Sequence, residues 1–441
     1  MAFIGGRAES EIWVMASDGE SPRKLLQGLP RDRFLQLQWS PRGDRIAALK
    51  SHSEGDVSET VVETMPLSGG KNATILSAPG LNGFCWSSDG HIIYSMNEKS
   101  PNDRDANLWE LPVDSSGATV SGSPRRITNW AGLSLTDLSV STDGKRLAFV
   151  NAGYRSDLYV APIEAQGSLG QPRRLTLEGN NSFPSAWMPD GQSLLFYSDR
   201  NGRWNIFREG LQEQKAEDFI VGSGKQTEAR LSPDGSWVLY WDYAESQSPK
   251  LASMSLKRVP VSGGAPQLVL EASRGASVRC VTRRSTCILS ERDSASGKLV
   301  FSAVDPLGGR KGELVRVAAD PARSPAWDLS GDGSAVAIVN LDENQGSVRV
   351  IKLATGASRL IAVKPSERLS GVTWSADGNG WFVTSSSIRG ATIFHVSAGG
   401  GVTQSWTNTS NLGTPLTSPD GRNLAFTIST FNSNAWMIEN F

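Results

Sequence analysis

The stretch Ser418-Pro419-Asp420-Gly421-Arg422-Asn423-Leu424-Ala425-Phe426 decides the fold. A polar turn is followed, three residues past its glycine, by an apolar run of β character. Proline presets φ at the first central position, aspartate bonds its own backbone, and glycine accepts φ > 0. Asp-Gly between two apolar runs is a strong short-range hairpin signal.

Working outward, the same five-residue turn recurs at Trp39–Gly43, Trp86–Gly90, Val140–Gly144, Trp187–Gly191, Leu231–Gly235, Leu329–Gly333, Trp374–Gly378 and Thr417–Gly421. The third residue past each glycine is Ile46, Ile93, Leu147, Leu194, Val238, Val336, Trp381 and Leu424, apolar every time. A ninth, degenerate copy at Val281–Ser285 has lost its Asp and Gly but keeps Ile288 at the equivalent place. Neighbouring turns lie about 43 to 54 residues apart, the period of propeller blades.

Two further short strands complete each unit. The third is aromatic or aliphatic: Ile12–Val14, Leu108–Trp109, Leu158–Val160, Ile206–Phe207 and Trp436–Ile438. The fourth often opens on proline and basic residues, as in Pro22–Leu25, Pro124–Ile127 and Pro172–Leu175. Four short strands per unit at this period predict an all-β chain, a β-propeller of about nine four-stranded repeats. Unrelated hairpins in a sandwich are the competing architecture. Nine turns plus a partial unit exceed the usual four to eight blades of one ring. The expectation is therefore two consecutive toroids, residues 1–180 and a six-bladed 181–441. One large eight- or nine-bladed ring is the alternative.

Ala2-Phe3-Ile4 matches the second strand Leu424-Ala425-Phe426, so the chain is expected to begin inside a repeat as the C-terminal piece of a longer polypeptide. A short start closing one ring is the other possibility. Ser51–Glu63 and Asn97–Ala106 are polar insertions after second strands and read as solvated loops.

Composition narrows function mainly by exclusion. With 44 basic and 45 acidic residues, no field draws the chain to nucleic acid or an anionic membrane. No apolar run approaches the length of a membrane-spanning helix, so no membrane insertion is expected. Met1–Arg7 shows neither the basic nor the apolar region of a signal peptide. The three histidines, His52, His91 and His395, are far apart, and no Cys/His ligand set is spaced for a metal. There is no nucleophile elbow, phosphate loop or kinase motif. The reading is thus no catalytic residue, no cofactor and no metal.

Asp89, Asp143, Asp190, Asp234, Asp332, Asp377 and Asp420 share one turn position, and each is read as the cap of its own hairpin. A catalytic use of two of them across a ring is the alternative. Trp39, Trp86, Trp187 and Trp374 are read as inter-blade core rather than a stacking platform. Cys85 reads as a small buried hydrophobe. Cys280 and Cys287 flank the Arg283-Arg284 turn symmetrically, so a hairpin there sets them opposite each other. They are either a disulfide stapling the one unit without an Asp-Gly turn or two buried thiols. A disulfide would imply an oxidising compartment.

The turn-and-strand motif of 418–426 and its copies resembles the TolB-type, WD-like propeller repeat, across nearly the whole chain. More narrowly, Asn432–Phe441, Val259–Gly264 and Asp305–Arg310 look like the C-terminal propeller of bacterial serine/threonine kinases or winged-helix DNA-binding regulators. That resemblance implies a sensory or scaffolding propeller. It transfers no kinase or DNA-binding residue, because none here matches those motifs. The expectation is a non-enzymatic interaction or sensor module of a larger signalling protein that binds a protein or small ligand. The alternatives are a TolB-like accessory protein of the cell envelope and an enzyme with a channel-facing carboxylate site. The compartment stays open, extracytoplasmic for a membrane-anchored receptor and cytoplasmic otherwise.

Overall fold

A computed structural model describes residues 1–5, 10–29, 32–54, 57–98, 105–114, 116–130, 133–177, 179–213, 215–243, 254–281, 287–364, 367–387 and 390–441. Its regular structure is β throughout, apart from one 3-10 turn at Ala165–Gly167. Nine antiparallel sheets form: seven of four strands, one of three and one of six.

The repeat turn explains the sheets. In all eight copies the glycine N–H donates to the carbonyl three residues back, as from Gly421 to Ser418 at 2.9 Å and from Gly333 to Ser330 at 2.7 Å. The glycine sits at positive φ, +71° at Gly421 and +67° at Gly191, where a side chain would be strained. The first turn residue then pairs with the residue three past the glycine, as in Thr417 with Leu424, Leu231 with Val238 and Trp374 with Trp381. Only the Trp86 copy slips, pairing Trp86 with Ile92. This register turns all eight residues three past the glycine inward: each is at most 1% exposed.

The chain divides into two compact units. The first comprises Met1–Gly153 and Phe431–Phe441. Its first sheet has three strands, Ala2–Gly5, Glu11–Val14 and Arg23–Gln27. Asp32–Trp39 opens the second sheet and Leu81–Trp86 the third. The fourth holds Leu135–Val140 and the unit's shares of two long strands, Arg146–Pro162 and Asn423–Glu439. Three apolar clusters join these sheets in chain order, around Ile12 and Ile46, around Phe84 and Ile92, and around Leu108 and Leu147.

The second unit, Tyr154–Thr430, has six blades. Five are continuous and open on Ser182–Trp187, Lys225–Leu231, Ser277–Arg279, Ala326–Leu329 and Arg368–Trp374. The sixth is composite. Leu416–Thr417 and residues 423–430 supply its first strands, and residues 154–162 with Arg173–Arg174 supply its last. Ser156 and Ser429, 273 residues apart in sequence, share a hydroxyl hydrogen bond of 2.8 Å across this join. Six apolar clusters fill the six interfaces between neighbouring blades, including the two that flank the composite blade. As many interfaces as blades means a closed ring, which leaves no blade face open to water.

Three expectations change. The division falls at Gly153/Tyr154 rather than near residue 180, and Phe431–Phe441 returns to the first unit. The cause is the composite blade: closing a ring by pairing early with late strands inserts the second unit into the first unit's sequence, so the two are not consecutive. Ser51–Glu63 is a paired hairpin extension rather than a loop, since Arg45–Glu54 and Val57–Pro66 stay in register out to Glu54 opposite Val57. The Asn97–Ala106 insertion lies largely outside the described residues. Trp86 and Trp187 are core, and Trp374 is partly buried against the cluster around Trp381. Trp39 instead is 40% exposed.

Candidate functional site

The seven turn aspartates lie at hairpins, each bonded within its own turn. Asp420 Oδ1 accepts from Ser418 Oγ at 2.6 Å and from the Arg422 N–H at 3.1 Å. Asp143, Asp332 and Asp377 repeat this pair of bonds, and Asp234 does so with Ser232 and Ser236. Asp89 accepts from Ser87 and the His91 N–H, and Asp190 from the Gln192 N–H. The serine hydroxyl, helped by the backbone N–H, holds Asp143, Asp234, Asp377 and Asp420 below the usual carboxylate range. At Asp89 burial pushes upward but is outweighed by the bonds from Ser87 and His91. None of these aspartates lines the cavity at Glu213–Asp218 or the one around Arg230.

The charged constellation lies elsewhere. A cavity of about 130 Å³ in the second unit is lined by residues from the first strand of every blade. Ser182–Trp187 contributes Phe183 and Ser185; Lys225–Leu231 contributes Glu228 and Arg230. Arg279, Asp328, Thr373 and Leu416 come from the other four. A space touched by six blades of one ring lies on its axis, so this is the propeller's central channel.

Its electrostatics are uneven. Asp328 is well held: its Oδ2 accepts from Thr373 Oγ1 at 3.0 Å and from the Trp374 N–H at 2.9 Å. Arg279 stands between two carboxylates, 3.8 Å from Glu228 and 3.9 Å from Asp328. It also lies 5.3 Å from the centroid of the Trp327 ring, a cation–π contact. Glu228 takes φ +49° at a bulge between Thr227 and Arg230. Arg230 donates from Nη1 to the carbonyls of Ser185 and, at 2.7 Å, Ala229. Burial, then the neighbouring Arg279 charge, pull its pKa down to about 9, so it is still protonated at neutral pH. Its Nε and the Ser185 hydroxyl are sealed from solvent without a partner among the described residues. Behind them Tyr197 stacks on Phe183, ring centroids 5.2 Å apart, and burial raises the pKa of its hydroxyl.

Cys280 and Cys287 form a disulfide with Cα atoms 4.2 Å apart. The turn centre Arg283-Arg284 lies outside the described residues. The bridge ties down the end of the short strand that carries Arg279. Cys85 is free and buried, and burial pushes its thiol up to about 12, an unreactive state.

None of Glu228, Arg230, Arg279 and Asp328 stood out in the sequence. A signal was there for Arg230 and Asp328: the residue just before each repeat turn in this unit reads Ala186, Arg230, Cys280, Asp328, Thr373 and Leu416, and four of these, Arg230, Asp328, Thr373 and Leu416, line the cavity. The turns repeat their chemistry, whereas this position changes it from blade to blade.

No protein-family model matches the chain. A 157-residue stretch, 35% of the chain, is 26% identical to uncharacterized protein Atu1656 of Agrobacterium fabrum and covers 50% of it. A 120-residue stretch, 27% of the chain, is 28% identical to the Tol-Pal system protein TolB of Wolinella succinogenes and covers 27% of it. The chain thus matches half or less of the length of these curated relatives. Among solved structures, a putative TolB from Agrobacterium tumefaciens is 16% identical over 96% of this chain and 99% of its own, with a TM-score of 0.23. The fold is a β-propeller. That statement stands on the repeat turn, the strand pairing and the six inter-blade cores.

Proposed function

We propose that this chain is a TolB-like accessory protein of the cell envelope, a binding module whose six-bladed unit receives a segment of a partner protein at its axial cavity. The observation that carries the reading is the cavity itself, where the inner strands of six blades present Ser185, Arg230, Arg279, Asp328, Thr373 and Leu416 rather than one repeated residue. A purely structural channel needs only side chains that fill it, and the repeat would supply the same one each time. The match to TolB and the Cys280–Cys287 disulfide support an envelope setting, because disulfides persist in oxidising compartments. Asp328, committed to Thr373 and Trp374, serves recognition better than proton transfer. The reading as a kinase- or winged-helix-linked signalling module rests on short resemblances alone.

The test is site-specific photocrosslinking in the source organism, with the photoreactive residue at Leu416 on the cavity wall. A discrete crosslinked envelope protein is expected, lost when Asp328→Ala is added. A pattern identical to that from the exposed outer position Leu268 would remove the proposal.

A further inference from the structure

Two carboxylates, Glu228 and Asp328, share one guanidinium, Arg279. The second guanidinium, Arg230, has no carboxylate within ion-pair distance among the described residues and donates only to two carbonyls. Glu228 and Asp328 act on Arg230 only from beyond ion-pair distance, so this buried cation is incompletely compensated and gains from an arriving anion. Its Nε–H is an unused donor. Beside it the Ser185 hydroxyl, in a residue with no exposed surface, is a second unused donor. Both donors belong to residues that line the cavity, and one charged and one neutral donor are the number that the two oxygens of a carboxylate take. The cavity, about 130 Å³, has the volume of roughly four waters, enough for a carboxylate and a carbon or two behind it. The stacked Phe183 and Tyr197 give those carbons an apolar wall.

We infer that the axial cavity is a carboxylate-binding site, in which Arg230 and Ser185 hold a terminal or side-chain carboxylate of the inserted partner segment. The inference rests on the binding-module reading and names the chemistry that the channel selects. Glu228 has the opposite role: its like charge sets an upper limit on affinity and disfavours anions too bulky to stay clear of it.

The full chain is melted at pH 7 and fixed ionic strength while acetate replaces chloride, with acetamide as the neutral isostere. Acetate is expected to raise the melting temperature saturably, and acetamide is not. Arg230→Met should abolish the acetate effect. Ser185→Ala should weaken apparent affinity by about three- to tenfold. Glu228→Gln should strengthen it. Ser185→Ala and Glu228→Gln keep the guanidinium in place, so they decide the matter if Arg230→Met does not fold. Absence of a saturable acetate effect, an equal response to acetamide, or an acetate effect unchanged in Ser185→Ala overturns the assignment. A crosslink at Leu416 with no response to acetate removes the carboxylate and leaves the binding module. Acetate binding with no crosslink does the reverse.

Discussion

Asp420 shows how much one side chain does in this architecture. Its carboxylate takes the Ser418 hydroxyl and the Arg422 N–H, and so shapes the turn from inside before any strand pairs. Asp420→Ala removes both acceptors and should cost about 0.5–1 kcal/mol, read by denaturant unfolding. The same bonds predict the response to acid. Asp143, Asp234, Asp377 and Asp420 are held below the usual carboxylate range, and Asp293 is drawn to about 2 by the Ala295 N–H, Ser296 and Arg316. A carboxylate depressed by folding stabilises above its unfolded pKa, and that contribution is lost as pH falls through the folded value. Melting temperature should therefore be flat from pH 7 to about 5 and fall between about 4 and 2, with a shallower acid fall in Asp420→Asn. A steeper fall in that variant would contradict the account. The turn positions of Asp143, Asp234, Asp377 and Asp420 can be read in the sequence, because a local hydrogen bond needs only local residues; Asp293, outside the repeat turn, does not stand out there. Nor was Trp39 legible: its exposure depends on what packs against the outside of its turn, which the turn does not encode.

At the scale of an element, the sheet opening on Ser277–Arg279 is the exception that explains the others. It alone among the continuous blades of the second unit lacks the Asp-Gly turn, and a disulfide seven residues apart stands in its place. The bridge does covalently what the aspartate does elsewhere by hydrogen bonding, and it fixes the strand that presents Arg279. Cys280→Ser with Cys287→Ser should lower stability by about 2 kcal/mol, and reduction with alkylation should shift the mass of the unmodified chain. An unchanged mass and an unchanged midpoint would show that the staple carries nothing. The strands themselves could be read from the turn register because side chains alternate with period two. The channel set Glu228, Arg230, Arg279 and Asp328 could not, since it exists only once six inner strands face one axis. Each residue alone reads as an ordinary polar strand position.

The whole molecule adds a feature that no local pattern announces. The second unit closes by pairing residues near 156 with residues near 429, so its sequence lies inside that of the first. Counting turns gives the number of blades but is silent on which strands close a ring, which is why the boundary was expected one half-blade late. Closure also makes the candidate site: with the composite blade displaced, Leu416 leaves the wall and the axial cavity opens to water. The most direct measurement is therefore a covalent one. In the full chain carrying Ser156→Cys and Ser429→Cys, mild oxidation followed by proteolysis and mass spectrometry should recover a disulfide joining the peptides that contain positions 156 and 429. Two free thiols at those positions in the folded, oxidised protein would contradict the closed six-bladed ring.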